Sequence, residues 1–271
     1  MDAIKIESTI SAEKINQIIE EIPIKKDVII DFEEYKDRYR YIFSLNKKQI
    51  NQDKLFLKAL AKFVNKVIIK FYTEDMIALN IEKKIGLIDS LDKSKIIQDV
   101  KGVLTSKNLF INEKEEIEEE ISKYFLEHDI LIIDGYLNFR SKSFNELVDK
   151  AIELVLGNFQ LEVEYSGFID MLKALVESQV PEVDLINIVL KENKYILMDS
   201  NKEIINNNHM SMVIEDLYYE YEGVSEADIL LSTVIALSPK KIVMHLANKS
   251  EDDLTSILEE IFEDRFEVVL N

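Results

Sequence analysis

Apolar and polar positions change their spacing along the chain, and these changes predict its elements. Residues 3–7 alternate like a strand, and Ser11 precedes a stretch with isoleucines at helical spacing. Residues 28–32 and 39–45 predict a strand pair joined by the polar loop 33–37. From Gln52 to Phe71 apolar side chains recur every three or four positions, which indicates a long helix. Further helices are expected near residues 76–85 and 93–104.

Two capping patterns follow in the middle of the chain. Asn112 with Glu115 predicts the start of an acidic helix, and Ser143 with Glu146 predicts the start of an apolar helix that ends at Gly157. Between these two helices the chain is expected to turn. A third apolar helix is predicted over residues 162–178, closed by Pro181.

Beyond Pro181 the apolar periods become shorter. A hairpin is predicted from residues 183–190 and 195–198, followed by a helix over 210–221, a helix over 229–237 capped by Ser225 and Asp228, and a strand over 241–246. A helix capped by Ser250 and a last strand over 266–270 complete the pattern. The expected fold is α+β, with a predominantly helical middle and, at the C-terminus, a small mixed β-sheet with a βαβ unit. The expected regions are residues 1–110 and residues 111–271.

Composition narrows the class of protein. The chain has 47% apolar and 31% charged residues, and it contains no cysteine, which excludes disulfides, thiolate metal sites and thiol nucleophiles. Its start lacks the basic and apolar regions of a signal peptide, and its apolar runs are far shorter than the roughly 20 residues that span a bilayer. We therefore expect a cytoplasmic protein without a transmembrane segment and without a cofactor.

Charge is distributed unevenly within a net charge of −19. Residues 1–112 carry 20 basic and 17 acidic side chains, whereas residues 113–271 carry 13 and 35. Because so acidic a chain repels the phosphates of nucleic acid over most of its surface, nucleic acid is an unfavourable partner. An anionic partner would have to meet the first half of the chain.

No catalytic motif of the common classes is present. The chain lacks a phosphate-binding glycine loop and a Gly-x-Ser-x-Gly nucleophile turn. The adjacent His128 and Asp129 are typical of metal-dependent phosphohydrolases, but such sites need further ligands and the chain has only three histidines. The alternative is a histidine that stabilises the C-terminal end of a helix. We expect no tightly bound divalent metal.

One short motif points to a family. The stretch Ile132–Arg140, IDGYLNFR after the first isoleucine, resembles the Gly-aromatic-(Ile/Leu)-x-Phe-Arg signature of the YtxC-like family, which is assigned to sporulation in endospore-forming bacteria. The likeness continues through residues 162–165, 168–172, 179–181 and 238–242. The resemblance implies the sporulating cell as the setting and implies no biochemical activity. Its signature residues here are Asp134, Gly135, Asn138, Phe139 and Arg140.

Two interpretations of Arg140 are open. Its guanidinium suits a carboxylate held by two hydrogen bonds, with Asp134 as the nearest candidate, and Gly135 would permit a positive φ or a close backbone approach. In the other interpretation, Arg140 and Asn138 recognise an anionic ligand or a partner peptide.

Five lysines stand at four-residue spacing along the predicted long helix, and we name them the lysine stripe: Lys54, Lys58, Lys62, Lys66 and Lys70. Like charges at this spacing disfavour a helix by roughly 0.2–0.5 kcal/mol per pair. The stripe is either a solvated face, or neutralised by the glutamates of residues 113–120, or a docking face for an acidic partner, with nucleic acid third. 

These observations favour a non-enzymatic interaction or regulatory protein of the sporulating cell that binds a protein partner. A metal-dependent hydrolase using the His128–Asp129 pair is the alternative. A third hypothesis is an adaptor to a membrane surface or nucleic acid that uses the basic first half.

Overall fold

The computed structural model describes residues 3–21, 28–35, 37–45, 52–85, 93–140, 142–191, 194–205, 225–246 and 253–270. The chain divides into two compact units, residues 1–159 and residues 160–271. The expected boundary between residues 110 and 111 lies inside the first unit, because α5 (Ile111–Glu127) packs along α2 (Gln52–Phe71) there. The α+β class is confirmed.

The first unit combines a mixed sheet with helices. Besides α2 and α5, its elements are β1 (Ile4–Ser8), α1 (Ala12–Ile19), β2 (Val28–Tyr35), β3 (Arg38–Leu45), α3 (Thr73–Ile85), α4 (Lys93–Thr105), β4 (Ile130–Ile132), α6 (Ile133–Arg140) and the start of α7 (Lys142–Ser178). The strand order is β2-β3-β1-β4, with β1 antiparallel to β3 and parallel to β4. The predicted strand pair is confirmed, with a connection shorter than expected.

The core of the first unit follows the predicted apolar stripe of α2. Phe56, Leu60, Phe63 and Val67 are buried, whereas Leu55 is exposed. Buried residues of β1, β3, α5 and α7 join the same cluster. The burial of these side chains is the main term that stabilises the unit.

A buried charge on β1 is compensated across the sheet. Glu7 is buried, and Arg40 lies directly opposite on β3. Arg40 Nε donates to Glu7 Oε1 at 2.8 Å. The pair satisfies a carboxylate that would otherwise be costly to bury.

The second unit contains the predicted C-terminal sheet. Its elements are the end of α7, β5 (Leu185–Lys191), β6 (Lys194–Met198), α8 (Glu226–Leu237), β7 (Lys241–Leu246), α9 (Asp253–Phe262), a 3₁₀ turn (Glu263–Arg265) and β8 (Phe266–Leu270). The strand order is β6-β5-β7-β8. β5 and β6 form an antiparallel hairpin, and β7 and β8 are parallel strands connected through α9, as expected. The helix predicted over 210–221 lies outside the described residues.

The predicted caps have different outcomes. Ser225 caps α8 as expected, because its Oγ accepts from the N–H of Asp228 and Asp228 Oδ2 accepts from the N–H of Ser225. The prediction for Asn112 is wrong, since α5 begins at Ile111 after Phe110, whose φ of 54° is left-handed. The prediction for Ser143 is also wrong: α7 begins at Lys142, and Ser143 Oγ donates to Glu120 at 2.5 Å.

The helix predicted to end at Gly157 continues through that residue to Ser178. A glycine ends a helix when it takes up a left-handed φ, and Gly157 has none. Within a helix it only lowers stability by about 1 kcal/mol relative to alanine. The two apolar helices predicted on either side are therefore one helix.

None of the helices in the described ranges combines the length and the apolarity that a membrane crossing requires.

Candidate functional site

The stretch expected to be a turn is an edge strand followed by a helix. β4 pairs with β1 and occupies an edge of the first sheet, and α6 begins directly after it. Ile133 and Tyr136 of α6 are buried, whereas Asn138, Phe139 and Arg140 are exposed. The motif thus joins a buried face to an exposed helix end.

Asp134 is half-buried and belongs to the structural part of this motif. Arg38 Nη1 on β3 donates to Asp134 Oδ2 at 2.9 Å, and Thr9 Oγ1 donates to Asp134 Oδ1 at 3.4 Å. About three tenths of each ionic side chain is exposed, so solvent weakens but does not remove the attraction. The pair fastens α6 to the strands of the sheet.

The expected pair between Arg140 and Asp134 is wrong. The two residues are six positions apart in one helix, so their side chains leave it about 120° apart and more than one turn apart along the axis. Arg140 instead holds its guanidinium carbon 5.3 Å from the centre of the Tyr124 ring. Sequence proximity suggested a contact that helical geometry prevents.

Gly135 has an ordinary helical backbone, not the positive φ that the sequence allowed. A Cβ atom placed there would lie 3.8 Å from Ile132 Cβ, an ordinary van der Waals distance. The glycine therefore leaves open a small space beside β4.

That space is a shallow pocket of about 250 Å³. Its walls are Tyr124, Ile130, Ile132, Gly135, Tyr136, Phe139 and Arg140. Ile130 and Ile132 are each 40% exposed and Phe139 is 87% exposed. We name Ile130, Ile132, Phe139 and Arg140 the signature patch.

Two tyrosines give the pocket a rigid wall. Tyr124 contacts Tyr136 with ring centres 6.2 Å apart, and its hydroxyl donates to the carbonyl of Ile130 at 3.1 Å. That bond occupies a carbonyl of the edge strand. Burial raises the pKa of Tyr136 to about 12, so its hydroxyl stays protonated at neutral pH.

His128 and Asp129 do not form a ligand set in the described structure. His128 is half-buried, and its ring meets the edge of Tyr124 with centres 4.4 Å apart. Asp129 is exposed, and its carbonyl accepts from the N–H of Lys5 at 2.7 Å. Within the described ranges, no three His, Asp or Glu side chains are placed to hold a metal ion.

The lysine stripe lies along the outer side of α2, with Lys66 half-buried and the other four exposed. Lys66 Nζ donates to Glu21 at 2.6 Å, and Lys70 Nζ lies 5.6 Å from the centre of the Phe71 ring. The acidic helix α5 does pack along α2, where Asn65 Nδ2 donates to Glu118 Oε1 at 3.3 Å. Among the described residues, no lysine of the stripe forms an ion pair with α5.

The comparison with protein families decides the family. The model of the YtxC-like family matches residues 58–267. The chain belongs to the YtxC-like family. It is also similar to the uncharacterized protein YtxC of Bacillus subtilis strain 168, with 19% identity over 222 residues that cover 78% of this chain and 77% of the relative. No solved structure matches the chain.

The YtxC-like match includes the whole signature patch and four of the five stripe lysines, since only Lys54 precedes it. Phe139 and Arg140 were predicted from the motif, whereas Ile130, Ile132 and Tyr124 were not. The alternation of Ile130 and Ile132 around buried Leu131 was the available signal. No local pattern in the sequence indicates the role of Arg38, because that role depends on a contact with a residue 96 positions away.

Proposed function

We propose that this YtxC-like protein is a non-enzymatic cytoplasmic factor that binds a protein partner through the signature patch during endospore formation. The observation that carries the proposal is the exposure of Phe139. Phe139 has 87% of its surface in water and lies at one pocket with the exposed Ile130 and Ile132, and such exposed apolar patches mark interaction sites.

The composition of the signature patch supports a protein partner. Protein interfaces are enriched in aromatic residues and arginine, and the residues that dominate binding lie beside small pockets. Phe139 and Arg140 flank a pocket, and Ile130 and Ile132 add apolar surface on an edge strand. Within the family motif, Asp134 and Tyr136 make contacts that stabilise the fold. The exposed residues at the end of the motif are available for binding a partner.

Membership of the YtxC-like family supports the sporulation setting, because the resemblance of this chain to that family implies an endospore-forming bacterium. The test is deletion of the gene in the organism that encodes it, followed by counting of heat-resistant spores. We expect fewer spores with unchanged vegetative growth, and rescue by the wild-type gene. Normal spore counts in the deletion strain would remove sporulation from the proposal.

The patch is tested separately with Phe139→Ser. Leu79→Ser is the matched control, since Leu79 is 59% exposed on α3 and lies outside the patch. Both changes are expected to leave stability within about 0.5 kcal/mol, as exposed substitutions do. Capture from sporulating cells should lose its main partner with Phe139→Ser and keep it with Leu79→Ser. Equal capture by both variants would show that the partner binds elsewhere.

A further inference from the structure

A second cavity, separate from the signature patch, lies in the first unit between α2 and α5. Its volume is about 750 Å³, and it is bounded by residues at the end of α1, along α2, after α4 and at the start of α5. Ligand pockets have volumes of about 300–1,000 Å³. We name this cavity the α2–α5 groove.

The charge of the groove is opposite to that of the chain. Five lysines and three glutamates line it, although the chain as a whole has a net charge of −19. Lys62, Lys66 and Lys70 come from α2, whereas Lys107 precedes α5 and Lys114 lies within it. The lysine stripe therefore gains two further cations from other parts of the fold.

Lys66 donates a hydrogen bond to the carboxylate of Glu21 at 2.6 Å, and two further lysines act on the same carboxylate through their charge. The hydrogen bond from Lys66 lowers the pKa of Glu21, and the charges of Lys70 and Lys107 lower it further. Lys114 has other hydrogen-bond partners: its Nζ donates to the carbonyl oxygens of Ser106 and Leu109 at 2.7 and 2.9 Å. Among the described residues, Lys62, Lys70 and Lys107 have no ion-pair partner.

A buried polar group in the wall is incompletely satisfied. Asn65 is 2% exposed and donates to Glu118 through Nδ2, while its Oδ1 has no hydrogen-bond donor among the described residues. The orientation of the amide follows from Glu118, because a carboxylate can only accept. Buried acceptors without a donor are rare and often mark a place where a ligand or water supplies one.

Apart from Thr105 and Ser106, the remaining lining is apolar. Ile18, Phe63, Ile69 and Leu104 are buried beneath the groove, and Ile111 at its side is 50% exposed. A bound inorganic ion would leave the exposed half of Ile111 in water. A ligand with both an acid group and an apolar body would use both parts of the lining.

We propose that the α2–α5 groove binds a small amphiphile whose phosphate or carboxylate head lies among Lys66, Lys70 and Lys107 and whose apolar body covers Ile111 and the groove floor. Nucleic acid fits this surface less well, because a polyanion would also meet the strongly acidic remainder of the chain. An acidic protein segment is the other occupant that the experiment can detect.

The test is calorimetric titration of the full chain with dodecyl phosphate below its micelle concentration. We expect one bound molecule per chain and weaker binding at higher salt, since screening reduces the attraction between the head and the lysines. Dodecanoate in a parallel titration decides between the two head groups. Dodecyl maltoside, which is neutral, and inorganic phosphate, which lacks the chain, are expected not to bind. If either compound binds with the same affinity as dodecyl phosphate, the proposal of an amphiphilic ligand is wrong.

The location is tested with two matched double variants on the same face. Lys70→Gln with Lys107→Gln removes two groove lysines, and Lys54→Gln with Lys58→Gln removes two stripe lysines outside it. We expect the first to weaken binding at least about tenfold, because each lysine supplies a charge-assisted contact. The control should bind like wild type. Equal effects of both variants would place the ligand outside the groove.

The apolar half is tested with Ile111→Ser, which removes half-exposed surface and is expected to fold normally. Binding of dodecyl phosphate should weaken severalfold, while Leu79→Ser, which changes an exposed residue outside the groove, leaves it unchanged. A polyglutamate peptide is titrated in the same way. If it binds to wild type and dodecyl phosphate does not, the groove is a docking site for an acidic protein segment and the proposal is wrong.

Discussion

Replacement of Arg140 by alanine tests whether the end of the signature motif is structural. The described contact of Arg140 is the Tyr124 ring, with the guanidinium carbon 5.3 Å from the ring centre. At an exposed site such a contact contributes about 0.5–1 kcal/mol. A cation in the last turn of α6 adds about 0.3–1 kcal/mol through the helix dipole. We therefore expect Arg140→Ala to lower the free energy of unfolding by about 1 kcal/mol.

Arg38→Gln is the reference for a structural arginine in the same region. It removes the charged donor of Asp134, whose remaining described bond comes from Thr9 at 3.4 Å. A hydrogen bond to a charged group contributes about 1.5–3 kcal/mol, and the partial exposure of this pair places the expected loss near the lower end. Arg38→Gln should thus destabilise the first unit more than Arg140→Ala does.

Urea unfolding followed by circular dichroism measures both changes, with the transition of each unit fitted separately because a chain of two units need not unfold in one step. A double-mutant cycle with Tyr124→Leu should give a coupling of about 0.5–1 kcal/mol. A loss above about 3 kcal/mol for Arg140→Ala, or a loss larger than that of Arg38→Gln, would refute the argument. Arg140 would then be a structural residue, and the binding role of the patch would rest on Phe139 alone.

Three further predictions concern the framework. Gly157→Ala and Gly167→Ala should each raise the free energy of unfolding by about 0.5–1 kcal/mol in thermal or urea unfolding, because an added Cβ meets no atom within 4 Å in α7; a loss would contradict a continuous helix. Ser225→Ala should lower the free energy of unfolding by about 1 kcal/mol, and Ser11→Ala should lower it less, because Ser11 makes no side-chain hydrogen bond to α1. Equal shifts of the urea midpoint in the two variants would refute this. Because the folded chain keeps the Tyr136 proton up to about pH 12 whereas an unfolded tyrosine loses it near pH 10, stability should fall across that range, and less steeply in Tyr136→Phe, as measured by urea unfolding at each pH.

Local patterns predicted most of the helices and strands, because burial of one face leaves a periodic trace in the sequence. The stripe of α2 and the order of strands and helices from β5 to β8 are examples. The same patterns could not reveal that β4 joins the N-terminal strands. A strand of three residues has too short a period to recognise, and its partner β1 lies more than a hundred residues earlier.

Helix ends were predicted less well, since the signals for caps are short and compete with packing. Gly157 fits a helix terminus by residue type, but buried Ala151, Ile152 and Val155 before it and Ile169, Leu172 and Val176 after it keep one helical period. Asn112 had the right residue type and the right acidic neighbour, yet the cap residue is Phe110, two positions earlier. A cap motif indicates that a helix begins nearby and does not fix its first residue.

The candidate site was recognised by its residues, and its geometry depended on whether they form a turn or a helix. In a turn, Asp134 and Arg140 could meet, and Gly135 would serve the backbone. In α6 the two charged residues point to different sides, so Asp134 holds the helix to the sheet while Arg140 lies over the Tyr124 ring. Gly135 then has an ordinary helical backbone and forms part of the pocket wall beside Ile132. The motif therefore consists of a residue that holds α6 to the sheet, followed by an exposed helix end, rather than a turn.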